Sequence, residues 1–125
     1  MSAIWNPVNW FEIPCHDLQE SKTFYKGVLQ VDLIDAEMGP NKMAWFPMEQ
    51  GAPGAAGTLI QGDGYTPSHD GSLVYFGVPS IDSALETVAK LGGKTLLPKT
   101  SIGEHGSIAH FEDCAGNRVA LHEKP

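Results

Sequence analysis

The sequence predicts an α+β fold of two βαβββ modules, each a curved mixed sheet, arranged around a cleft. Three observations predict it. Two stretches with helical periodicity, near 17–30 and 80–93, are each preceded by an alternating apolar segment. Each is followed by three short strand-like runs. Between the halves, "GDGYTPSHDG" at 62–71 is turn-forming throughout. At 125 residues the chain is expected to be one domain, residues 1–125, built of modules 1–62 and 71–125.

The elements follow in order. "PVNWFEIP", residues 7–14, alternates: Asn9, Phe11 and Ile13 share one face, and Val8, Trp10, Glu12 and Pro14 the other. Asp17-Leu18-Gln19-Glu20 is an acidic N-cap with a glutamate three residues on, which starts a helix. Leu18, Tyr25, Val28 and Leu29 form its stripe. Strands are expected near 31–37, 42–48 and 56–61, separated by "MGPN" and "GAPGAAG". The second half repeats the order. "SLVYFGV" alternates, with Val74, Phe76 and Val78 opposite Leu73, Tyr75 and Gly77. "SIDSALETVAKLGG" is a helix with Ile81, Ala84, Leu85, Val88 and Leu91 as its stripe and Gly92-Gly93 as its stop. Strands are expected near 94–98, 106–112 and 117–123. This is an internal repeat of order rather than of identity.

Composition excludes several classes. Fifteen acids against eight bases give a net charge of −7, and no basic cluster stands out, so neither nucleic acid nor an anionic membrane is an expected partner. There is no secretory signal and no apolar run of membrane-spanning length, so the expected location is the cytoplasm. Cys15 and Cys114 are far apart in no metal-like spacing and are expected to be free thiols. "GAPGAAG" lacks the Lys-Ser/Thr of a phosphate loop and is expected to be a surface loop.

The last hairpin carries the main functional signal. In "HFEDCAGNRVALHE", residues 110–123, Val119 and Leu121 form a core face, and Arg118, Ala120 and His122 form the other. Asn117 beside Gly116 is turn chemistry. The helices cover one face of each set of strands. The remaining faces are then left to form a concave surface, within the chain or with a second subunit, and a homodimer is expected. Trp10, Glu12, Tyr75, Arg118 and His122 belong to that surface by alternation, with Leu73 and Ala120 between them. Glu12, flanked by Trp10, Phe11 and Ile13, is either an acid or base of raised pKa, a solvated carboxylate, or a partner of Arg118. His110 and His122 are candidates for proton exchange near neutral pH. Trp10 and Tyr75 are candidate walls for a ligand, and Arg118 a fork for carboxylate or phosphate. His16, His69 and His105 fall in loops and read as surface.

"FEIPCHDLQESKTFYKGVL" and "FEDCAGNRVALHE" together resemble the opening and closing motifs of the vicinal oxygen chelate superfamily. Its members include glyoxalase I, bleomycin and fosfomycin resistance proteins and extradiol dioxygenases. The resemblance implies a divalent metal held from the first, fourth, fifth and eighth strands. Those positions fall on Trp10, on Gln61 or Leu59, near Leu73, and on Ala120. Trp, Leu and Ala offer no donor, so no metal and no cofactor are expected. Gln61 is expected to contact substrate instead, and the fosfomycin branch places His110 toward the ligand.

Three functions follow, the first two of different class. One is a metal-free cavity that binds a small organic molecule. The other is an enzyme using Glu12 with His110 or His122 for acid/base isomerase or lyase chemistry. A third is a lactoylglutathione lyase-like or dioxygenase-like metalloenzyme with displaced ligands.

Overall fold

The computed structural model describes residues 6–125, so residues 1–5 of the expected first module lie outside the described residues. The first unit runs strand Glu12–Pro14 (β1), helix Leu18–Leu29 (α1), then strands Ile34–Met38 (β2), Asn41–Trp45 (β3) and Thr58–Gln61 (β4). The second runs strand Tyr75–Gly77 (β5), helix Ile81–Lys90 (α2), then Lys94–Ser101 (β6), Ser107–Glu112 (β7) and Arg118–Glu123 (β8). A short 3₁₀ turn, Gly103–His105, joins β6 to β7. Each unit makes its own open four-stranded sheet, in the orders β1-β4-β3-β2 and β5-β8-β7-β6. In each, the first and last strands of the unit pair in parallel and the other neighbours are antiparallel.

The repeat extends to single hydrogen bonds. Thr58 N–H donates to Phe11 O at 3.0 Å, and Ala120 N–H to Val74 O at 2.9 Å. Cys15 N–H donates to Ile60 O and Val78 N–H to His122 O, both at 2.9 Å. The last side chain of each parallel pair then caps its own helix: Gln61 Oε1 accepts from Leu18 N–H at 2.8 Å, and Glu123 Oε1 from Ile81 N–H at 2.7 Å. Each takes one of the N–H groups that a helix start leaves without an intrahelical partner. Superposed on these bonds, Glu12 corresponds to Tyr75 and Thr58 to Ala120.

Both helix starts follow from their caps. Asp17, in extended conformation, accepts from the N–H groups of Gln19 and Glu20 at 3.1 and 3.2 Å. Ser80 does the same for Ser83 at 3.2 Å. Strand ends depart from the expected ones for local reasons. Strand β3 stops at Trp45, before Pro47, which has no N–H for a ladder. Strand β6 runs on to Ser101 but shifts register around Leu97 and Pro98. The run before Glu12 adds only the Phe11 carbonyl to pairing, so β1 is shorter than 7–14.

The helix-facing sides of both sheets share one core. Ile13, Ala44 and Leu59 meet Phe24, Tyr25 and Val28 of α1, while Ala109, Phe111, Val119 and Leu121 meet Ile81, Ala84 and Val88 of α2. Aromatic rings join the halves: Phe76 lies 5.6 Å from Phe11 and 5.4 Å from Phe46 between centroids. Fully buried large side chains such as Phe24 and Phe111 each contribute about 1.5–3 kcal/mol. Gly27, inside α1, is poor for helix propensity, but a Cβ there would strike the Leu91 side chain at the end of α2.

A polar hub ties the units together. Asp113 Oδ1 accepts from the N–H groups of Ala115 and Asn117, both at 2.9 Å, and so shapes the turn in which Gly116 takes φ 102°. Its Oδ2 accepts from Tyr25 Oη at 2.7 Å and Asn117 Nδ2 at 2.9 Å. Asn117 Nδ2 also donates to Pro14 O at 2.7 Å, across to β1. Asn117 therefore does more than turn the chain.

Candidate functional site on the outer face of the second sheet

Val119 and Leu121 are buried against α2, so alternation sends Arg118, Ala120 and His122 to the opposite face of β8. Register does the rest. Ala120 stands opposite Tyr75 on β5 and His110 on β7, and His122 opposite Ile108. Tyr75, Ala120 and His110 thus form one row across three strands. The Ala120 methyl is short enough for the side chains on either side to meet over it. Tyr75 Oη lies 3.4 Å from His110 Nε2, with the rings edge to face at 82°.

Arg118 is one step along the diagonal from His110, within reach of a long side chain. Its Nε and Nη2 donate to His110 Nδ1 at 3.1 and 2.9 Å. Burial, and then the Arg118 charge, hold His110 below its ordinary pKa. Beyond this row, Tyr75, Gly77, Ile102, Ile108 and His122 line an open depression of about 560 Å³. His122 Nε2 donates to His105 O at 2.7 Å, which fixes its ring at the rim. Tyr75 is 47% exposed and Ile102 41%, an apolar surface beside polar groups. That combination suits a small organic molecule.

The structure brings together Tyr75, His110, Arg118 and His122 but separates the other candidates from them. Glu12 is exposed on the first sheet, and no hydrogen bond or ion pair holds it among the described residues. Its expected apolar flank is missing because Ile13 and Phe11 turn into the core. The alternative pairing with Arg118 is corrected as well, since Arg118 bonds His110. Trp10 lies just before β1, half-buried, edge-on to Trp45 at 6.1 Å. Gln61 requires a correction of face: like the buried Leu59, it lies on the helix side of β4, with Oε1 taken by the Leu18 N–H.

The fourth-strand position on the outer face is Thr58, by its correspondence with Ala120. Its buried hydroxyl donates within the sheet, 2.7 Å from Leu59 O and 3.1 Å from Ala44 O. Trp10, Thr58, Leu73 and Ala120 therefore do not fit a divalent ion. Among the described residues, no three His, Cys, Asp or Glu side chains converge as a metal would need. Residues not singled out by sequence also matter here. Trp45 has a buried indole N–H with no partner among the described residues. Glu112, opposite Arg118, pairs with His69 at 2.7 Å, and Ser68 O accepts from Arg118 N–H at 3.2 Å, so the connector straps the end of the row. No local pattern signals these contacts, which join segments far apart in sequence.

A model of the Glyoxalase/Bleomycin resistance protein/Dioxygenase superfamily matches residues 8–121. A search of curated proteins gives no match. Among solved structures, a glyoxylase/bleomycin resistance protein/dioxygenase domain from Frankia sp. EAN1pec is 19% identical with a TM-score of 0.73, over 97% of this chain and 99% of that one. The fosfomycin resistance protein FosX from Listeria monocytogenes is 17% identical with a TM-score of 0.68, over 98% and 94% of the two chains. Glyoxalase I from Zea mays is 20% identical with a TM-score of 0.67, over 94% of this chain and 46% of that one. The chain thus spans about half the length of the maize protein. Identities this low speak to the fold alone. No helix among the described residues is long and apolar enough to cross a membrane.

Proposed function

We propose, for a chain that belongs to the Glyoxalase/Bleomycin resistance protein/Dioxygenase superfamily, that the outer face of the second sheet binds a small organic molecule without a divalent metal. The observation that carries this reading is the Arg118–His110–Tyr75 network beside the depression at Ile108 and His122. It supplies oriented polar groups next to apolar surface, at the place where metal donors are replaced by Ala120 and Leu73.

The acid/base reading is a second one, and it draws on His110 and His122 sharing this face. Glu12 has no bonded link to either histidine among the described residues, so in this reading the proton chemistry belongs to the histidines. We place the protein in solution as a homodimer in which residues 1–125 form one domain of each subunit. The support is the exposed Ile34 and Met38 on edge strand β2, apolar side chains that a second copy would cover.

The experiment is a thermal-denaturation screen of small organic acids, ketones and aromatic compounds against protein dialysed with a chelator. Stabilising compounds should keep their effect without metal, lose it in Arg118→Met, and keep it in Glu12→Gln. Compounds that stabilise only after zinc, nickel or manganese is added back would overturn the reading.

A further inference from the structure

We infer that Arg118, His110 and Tyr75 form a one-way chain of hydrogen bonds that turns the Tyr75 hydroxyl proton outward, so that the site takes a carboxylate-bearing molecule and refuses a cation. The inference rests on the ligand-binding reading above and names its ligand class. The direction follows from what each group is able to do. A guanidinium has N–H donors and no acceptor. With Arg118 Nε and Nη2 both on His110 Nδ1, at 3.1 and 2.9 Å, that nitrogen must be the acceptor. An imidazole that accepts at Nδ1 is neutral and carries its proton on Nε2. Burial and the Arg118 charge disfavour the imidazolium, in the same direction.

The Nε2–H group then has Tyr75 Oη before it at 3.4 Å, and the phenol oxygen accepts. The Tyr75 proton is left to point away from His110. No other protein group bonds that oxygen among the described residues, and the residue is 47% exposed. The donor therefore faces the open side. The 3.4 Å separation is long for a hydrogen bond. It should tighten when the phenol donates to an anion, because each donation strengthens the next in a chain.

Arg118 adds positive charge behind His110, on the side of the row away from the depression, and its Nη1 is not engaged by His110. The Tyr75 proton turned toward the ligand is a donor, so an acceptor-only group such as a carboxylate satisfies it. An ammonium would leave that proton unpaired and would be repelled by the guanidinium charge behind His110. Ile108 and Ile102 supply apolar surface for the body of the molecule.

Nitrogen-detected NMR of His110 in ligand-free protein tests the chain itself. The expected state is an unprotonated Nδ1 and a protonated Nε2. A proton on Nδ1 overturns the inference and leaves the pocket reading standing. Titration with benzoate and with benzylammonium, which share an apolar ring, tests the ligand class. Benzoate should shift the Tyr75 and His110 signals, and Tyr75→Phe should weaken it by about tenfold. Benzylammonium bound as tightly as benzoate, or benzoate bound equally well by Tyr75→Phe, overturns the inference alone. If neither probe shifts Tyr75, His110 or Ile108, the pocket reading falls and this inference falls with it.

Discussion

The phenol of Tyr25 donates to the Asp113 carboxylate at 2.7 Å, and both residues are shut away from solvent. One belongs to the helix of the first unit, the other to the closing turn of the second. Burial first, and then the Asp113 charge, hold the Tyr25 phenol well above its ordinary pKa, so it remains a donor.

Tyr25→Phe keeps the ring in the core but leaves Asp113 Oδ2 with Asn117 Nδ2 alone. It should cost about 1–3 kcal/mol. Asp113→Ala strands Tyr25, Asn117 and Ala115 as donors together and should cost several times as much. Urea denaturation of the two variants measures both. Equal, near-zero losses would show that the hub does not hold the units together.

The matched helix caps differ in charge. The Ile81 N–H, and after it Lys99, hold the Glu123 carboxyl below its usual range against the opposing effect of burial. A depressed carboxyl contributes stability that is present above its unfolded-state pKa and lost as pH falls through its lowered folded value. Glu123→Gln keeps an acceptor for Ile81, as Gln61 does for Leu18, but drops this dependence. The stability gap between wild type and Glu123→Gln should narrow on acidification. A gap constant with pH would argue against the assignment.

Arg118→Met removes a charge and both donors from His110. The His110 pKa should then rise toward the ordinary histidine value, with Tyr75 on β5 and Glu112 on β7 left as its facing titratable groups. A proton-NMR titration of the imidazole reads this directly. An unchanged or lower value would mean that Arg118 does not act on the ring.

Burial raises the pKa of Cys15 to about 11 and that of Cys114 to about 12. Cys15 Sγ lies 3.4 Å from Ile60 O, and the Ser21 hydroxyl lies 3.7 Å from Cys114 Sγ. Both thiols are free. They should react slowly with iodoacetamide at neutral pH in the native protein and fast in urea. Rapid native labelling would contradict the burial of either.

The order of elements was legible because caps and periodicity act locally. Asp17 and Ser80 announce their helices, and Val119 and Leu121 announce which side of β8 is core. What was not legible depends on register and on contacts between distant segments. On β4 a one-residue slip exchanges the faces, and Gln61 and Leu59 therefore both stood in for Thr58. Alternation placed Glu12 and Arg118 on the outward faces of their two sheets but carried no information on whether those faces meet. The reach of Asn117 to Pro14, and the meeting of Tyr75 with His110 over Ala120, are products of folding that no local pattern encodes.

Calorimetric titration of benzoate into matched samples, one dialysed against a chelator and one loaded with zinc, nickel or manganese, tests the central claim of metal-free binding most directly. The account predicts the same affinity in both, lost in Arg118→Met. Binding that appears only in the loaded sample would contradict it.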